Sequence, residues 1–183
     1  LPTDEGEDAV LVYGQSPGGF IDPDPASWRC KLTQPVQCKK EHQGTFPPAT
    51  RFSAGLAFDL NGNGLLMGGT TGDVFNAFEV RNTDLWTGQD WSEAATGPTS
   101  RAHPAMAFFP DAGAIWAFGG DHFTTTNTEN DLWAFQNGAW TRLAASPLGT
   151  GWAQPHLAYS TFQGQTGLVV AHPNKDTQLL TWD

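Results

Sequence analysis

The chain says nearly the same thing twice, about fifty residues apart. Leu65-Leu66-Met67-Gly68-Gly69 is followed by Asp84-Leu85-Trp86 and Trp91, and Ile115-Trp116-Ala117-Phe118-Gly119-Gly120 by Asp131-Leu132-Trp133 and Trp140. Arg51 and Arg101 lie fifty residues apart and Gly69 and Gly120 fifty-one, so one residue is inserted between the copies. A period of this length, with an apolar run closed by glycines and a Trp-bearing strand pair after it, predicts stacked β-sheet units that cover one another's faces.

Local signals agree with strands. Leu56-Ala57-Phe58 and Leu65 to Met67 flank Asp59-Leu60-Asn61-Gly62-Asn63-Gly64, and Met106-Ala107-Phe108 and Ile115 to Phe118 flank Pro110-Asp111-Ala112-Gly113. Both read as hairpins. Asn137-Gly138 reads as a type I′ turn, because both residue types tolerate positive φ, and Thr87-Gly88-Gln89 takes that role in the first copy. With 21 Gly and 13 Pro the chain favours turns between short strands over long helices. The reading is all-β. The Asp59 segment also imitates the start of a calcium loop, but Thr70 stands where that loop needs a bidentate Glu, so it is read as a turn.

A weaker third copy starts near Gln154-Pro155 with Leu157-Ala158-Tyr159, turns at Gln163-Gly164-Gln165 and runs through Leu168-Val169-Val170. Ala171-His172 is expected where the glycine pair should be, and Thr181-Trp182-Asp183 in place of the Asp-Leu-Trp strand. At the other end, Val10-Leu11-Val12-Tyr13-Gly14 looks like a glycine-pair strand lacking the strand before it, with Trp28 on its Trp strand; Phe20 to Pro25 is read as loop.

Met67-Gly68-Gly69 with Asp84-Leu85-Trp86 and Trp91, and Phe118-Gly119-Gly120 with Asp131-Leu132-Trp133 and Trp140, resemble the Kelch-repeat β-propeller family, of the galactose oxidase-type central domain superfamily. The match covers Arg51 to Leu143 well and the flanks poorly. It implies a propeller segment of about 3.5 to 4 four-stranded blades: a partial blade over 8–46, whole blades over 47–97 and 98–147, and a partial blade over 152–183. A closed propeller needs about four to eight blades, and the family closes in the upper part of that range. An open end leaves an apolar face in water. The chain is therefore expected to be one part of a larger ring, completed by a second propeller segment or by a copy of itself, or to be a piece of a cleaved precursor; closure in an unusually small form is the alternative.

Nine basic against nineteen acidic residues give a formal charge of -10, which repels phosphate backbones and anionic lipid. No nucleic-acid or membrane partner is expected. Asp4-Glu5-Gly6-Glu7-Asp8 is read as a solvated tail, and no Asn-x-Ser/Thr sequon occurs. The only cysteines, Cys30 and Cys38, are close enough in sequence for one hairpin to join them; a disulfide is the favoured reading and two buried thiols the alternative. A disulfide implies a secreted or periplasmic protein.

In a propeller, the loops after each glycine pair gather around the central axis, where they can meet one ligand. Gln15, Thr70, Asp121, His122 and His172 fall there. Asp121, His122 and His172 form a candidate set for a divalent metal, Zn or Cu, since neutral imidazole and carboxylate suit those ions; the plainer reading makes them surface loop residues. His103 and His156 do not align as one repeated site and are read as local hydrogen-bonding residues, and His42 belongs to a charged run. Most of the eight Trp are accounted for by the repeat, and Trp152 is the best candidate for an exposed sugar-stacking platform. No Gly-x-Ser-x-Gly, phosphate loop or His-Glu-x-x-His occurs. Copper oxidases related to the Kelch family use tyrosine ligands and a Tyr-Cys cross-link, which Tyr13 and Tyr159 with two mutually committed Cys do not favour. The first reading is a binding or assembly module; the alternatives are a subunit of a metal- or cofactor-dependent enzyme with its site on the propeller axis, and a lectin.

Overall fold

The computed structural model describes residues 9–14, 26–31, 35, 37–40, 51–71, 78–88, 90–122, 125–145, 148–149, 151–162, 164–172 and 174–181. The acidic run Asp4 to Asp8, Gln15, the segment Phe20 to Pro25, His42 and Trp182 lie outside the described residues.

The protein is all-β, built of antiparallel sheets. The first sheet contains β1 (Ala9–Gly14), β2 (Ala26–Lys31) and β3 (Gln37–Lys40), in that order. The second contains β4 (Gly55–Phe58), β5 (Gly64–Met67), β8 (Asn82–Trp86) and β9 (Trp91–Thr96); a ribbon of β6 (Thr70–Thr71) and β7 (Phe78–Glu79) leaves it between β5 and β8. The third contains β10 (Ala105–Phe109), β11 (Ala114–Phe118), β12 (Leu132–Gln136) and β13 (Ala139–Ala144), and the fourth β14 (His156–Phe162), β15 (Gln165–His172) and β16 (Lys175–Leu180). Strands follow one another across each sheet, the meander of a propeller blade. Cys30 and Cys38 face each other across β2 and β3 and form a disulfide.

Turn chemistry places the hairpins. Asp59 Oδ1 accepts the backbone N–H of Asn61 at 2.9 Å and of Asn63 at 2.8 Å, and Gly62 sits at φ 81°, so the calcium-like segment is a turn. Asn137 (φ 53°) and Gly138 (φ 80°) form the expected turn between β12 and β13.

The core lies between sheets. Ala57 and Leu65 of the second sheet bury against Ile115 and Phe135 of the third. Trp116, Phe118, Leu132 and Ala134 of the third bury against Leu168 and Val170 of the fourth. Strand β11 is buried at every position because one side faces the preceding sheet and the other the following one, which explains an apolar run without alternation.

Strand register corrects the alignment drawn from sequence. Trp86 lies opposite Gly64, four residues before Gly68, and Phe135 lies opposite Ile115, four before Gly119. Trp86 therefore corresponds to Phe135, and each packs at an angle against the Trp across the next strand pair: Trp86 against Trp91 at 5.6 Å, Phe135 against Trp140 at 5.3 Å. Trp133, opposite Ala117, stands where Asp84 stands opposite Leu66. The Asp-Leu-Trp motif slides by two residues, and a slip of two keeps every side chain on its own face.

The fourth sheet needs two further corrections. His156 lies opposite Ala171 as Ala105 lies opposite Phe118, so the glycine places fall on residues 172 and 173, and β15 runs through the first of them to pair His172 with Lys175. The strand β16, with Leu180 opposite Leu168, occupies the place expected for Thr181-Trp182-Asp183; Thr181 follows its end.

Each of the last three sheets is entered by a residue in left-handed backbone: Ser53 (φ 60°), His103 (φ 51°) and Gln154 (φ 51°), each two residues after Arg51, Arg101 or Trp152. The recurrence marks a bend built into the repeat, at a cost of about 1–2 kcal/mol for a residue with a Cβ.

Candidate functional site at the glycine rim

The glycine pairs are joints between sheets. Gly69 donates its N–H to the Arg101 carbonyl of the next sheet's entry at 2.8 Å, and Gly120 donates to the Trp152 carbonyl at 3.0 Å. A Cβ on Gly69 would lie 2.7 Å from the Phe52 carbonyl oxygen and one on Gly120 2.6 Å from that of Ala102, at φ +89° and +106°. Only glycine meets both demands.

Behind each joint lies a buried ion pair. Arg51 holds Asp84 and also donates to the Gly68 carbonyl at 3.3 Å. Arg101 holds Asp131 at 2.5 Å and donates to the Gly119 carbonyl at 3.1 Å. Both arginines reach an aspartate despite the slide between the copies, because positions two apart share a face and the side chain is long. Burial pushes Asp84 above the usual carboxylate range, outweighing the Arg51 guanidinium. Burial acts the same way on Asp131, but there the Arg101 hydrogen bond and the charges of Arg101 and Arg142 prevail and hold the carboxyl below that range.

In front of the joint, the ribbon and the entry to the third sheet meet in a polar network. His122 Nδ1 lies 2.9 Å from Glu79 Oε2, and its Nε2 3.0 Å from Glu129 Oε1. Ser100 donates to Glu79 and Thr99 to Glu129, both at 3.1 Å, and Arg101 Nη2 donates to the Thr99 hydroxyl at 2.8 Å. A neutral imidazole has one N–H and satisfies one carboxylate; two carboxylates call for the imidazolium. The Glu79 hydrogen bond first, then Glu129, raise the His122 pKa above its ordinary value although burial opposes them. Beside this network, His103 Nδ1 lies 2.9 Å from Asp121 Oδ1, across the bridge that pairs Ala102 with Asp121.

The structure separates the expected metal set. Asp121 pairs with His103, and His122 with Glu79 and Glu129. His172 packs its ring 5.8 Å from that of Trp152 and accepts the N–H of Asn174. Among the described residues, no three His, Cys, Asp or Glu side chains converge as metal ligands. Thr70 is fully buried, paired through its backbone with Phe52 instead of presenting its side chain to a ligand. Trp152 is 3% exposed, packed edge-on to Phe118 at 5.9 Å, so it is no surface platform; it fills the place that Arg101 takes one repeat earlier. Gln15 lies outside the described residues.

The network's other members, Glu79, Ser100, Thr99 and Glu129, carry no signal in the sequence, whereas His103 is the local hydrogen-bonding residue expected of it. The one available signal was position: His103 is two residues after Arg101 and Asp121 directly follows the glycine pair.

No protein-family model matches the chain, and no curated protein matches it. Among solved structures it matches a novel fungal alcohol oxidase, described as having catalytic diversity among the AA5 family and solved in complex with copper, with a TM-score of 0.60 and 18% identity. The likeness is one of fold. It covers 82% of this chain and 32% of the oxidase, so the chain spans about a third of that protein's length.

Proposed function

We propose that this chain is a segment of a Kelch-type propeller that acts as a binding and assembly module, receiving a further sheet on the free face of its fourth sheet. One observation carries the reading. Ala57, Leu65 and Leu85 share a register row and lie under the third sheet; Ala107, Trp116 and Ala134 form the same row in the third and lie under the fourth. The matching row of the fourth sheet is Ala158, Val169 and Leu179, with Ala158 exposed and the other two half-buried. An apolar row covered twice and, among the described residues, left open once is an interface awaiting its partner, since burial is worth about 25 cal/mol per Å² of apolar surface. The partner is a protein, a second propeller segment or a copy of this chain. The Cys30–Cys38 disulfide supports a secreted or periplasmic setting, where such bridges persist.

Native mass spectrometry of material from the source tests this. Association is expected, lost in Val169→Glu and Leu179→Glu and kept in Thr166→Glu, an exposed position on the opposite face of β15. A single species of 19.7 kDa at micromolar concentration overturns the reading.

The fold likeness to an oxidase solved with copper favours a second reading, a subunit of a metal-dependent enzyme. The residues present fit it poorly. Cys30 and Cys38 are bonded to each other, both His122 nitrogens face carboxylates, and Tyr159 donates to Asp111 at 3.3 Å. Copper or zinc bound to purified protein, and lost in the His122→Ala, His172→Ala double variant, would reinstate that reading.

A further inference from the structure

At the end of the sheets opposite the glycine pairs, the second and third sheets part around a groove of about 240 Å³. Its floor is apolar: Leu85, Phe108, Ile115 and Phe135. Its edge is formed by the hairpin turns, with Asp59, Asn63 and Gln136 among the lining residues. Asp59 is the only charged residue of the lining, and among the described residues no basic side chain pairs with it.

The edge offers acceptors in excess of donors. Asn63 Nδ2 gives one of its two N–H groups to Asp59 Oδ2 at 2.9 Å, and Gln136 Nε2 donates to the carbonyls of Ala112 at 2.9 Å and Gly113 at 3.5 Å, which leaves two amide oxygens and the carboxylate against one further N–H of Asn63. The Asp59 carboxylate is held in place by the turn amides but is not neutralised by them. A ligand complementary to this groove brings an apolar body for the floor and a positively charged donor for the edge. An apolar cavity of roughly 150 Å³ accepts benzene, so the larger groove has room for one ring and an ammonium group. The chain's charge of -10 draws cations towards it.

We propose that the groove between the second and third sheets is a binding site for small single-ring primary ammonium compounds, with Asp59 as the charge partner. The site lies within the chain and does not depend on how the fourth sheet is covered.

Titration of the whole chain with benzylammonium, followed by amide NMR shifts, tests it, with benzyl alcohol and benzoate as neutral and anionic counterparts. Benzylammonium is expected to shift the amides of the two hairpin turns and of β12, while benzoate leaves them unmoved. Asp59→Asn keeps a turn acceptor and removes the charge, and is expected to weaken binding about tenfold. Gln136→Glu, at an exposed position, is expected to tighten it several-fold, a readout that stands even if Asp59→Asn folds poorly. Equal binding of benzyl alcohol and benzylammonium, shifts confined to other surfaces, or no change in Gln136→Glu would overturn the proposal.

Discussion

Gly69 donates its backbone N–H to the carbonyl of Arg101 at 2.8 Å, and so ties the second sheet to the entry of the third. A side chain at Gly69 must displace the Phe52 carbonyl oxygen, 2.7 Å from where a Cβ would sit. Gly69→Ala is expected to cost about 3 kcal/mol, from the clash together with the left-handed backbone. Gly88→Ala, also at positive φ but with an added Cβ that meets no other described side chain or backbone atom within 4 Å, isolates the backbone share at about 1–2 kcal/mol. Urea denaturation of both variants checks the difference; equal losses would mean that the joint is not tight.

Arg101 and Asp131 form a buried pair, and removing one partner strands the other. Arg101→Met is expected to cost about 3–5 kcal/mol, and the double change with Asp131→Leu to recover much of it. A double-mutant cycle by denaturation measures this; additive losses count against the pairing. Because the Asp131 carboxyl is held below its ordinary range, its stabilisation is fully present above about pH 4 and is lost as pH falls through the folded value.

His122 titrates in the opposite sense. Its pKa is raised in the fold, so its stabilising contribution is complete below about pH 6.5 and is lost as pH rises through the folded value. His122→Gln is expected to remove about 1 kcal/mol at low pH and to flatten the stability profile above neutrality. Proton NMR of the imidazole reports the pKa directly, and a value at or below that of a free histidine would rule out the double carboxylate clasp.

Trp152 is expected to act on stability, with no effect on sugar binding. Trp152→Ala empties a site packed by Phe118 and His172 and is expected to cost about 3–5 kcal/mol. A sugar panel should leave the intrinsic fluorescence of the parent protein unchanged at this residue. A sugar-dependent signal that vanishes in Trp152→Ala without loss of stability would contradict the burial.

The hairpins were legible because turn residues act locally: Asp59, Gly62, Asn137 and Gly138 announce their conformations without outside help. The stacking of sheets was legible because apolar strands recur at a fixed period. The correspondence of Trp86 with Phe135 was not, since a slide of two residues conserves the faces and leaves the pattern of apolar positions intact. The burial of Trp152 is not legible, because nothing in its neighbours reveals that it replaces a buried arginine. The link between His122 and Glu79 spans 43 residues and joins a loop to the two-residue strand β7, where no periodicity operates.

Ser53, His103 and Gln154 are three different side chains on one bend of the backbone. The bend belongs to the repeat, so the residue on it is released from the duty of packing and can be exchanged without rebuilding a sheet. His103 has used that freedom to engage Asp121. Such a scaffold can change its surface chemistry one sheet at a time, with its interior held constant, which makes these three positions the natural points at which diverging descendants of one repeat acquire separate tasks.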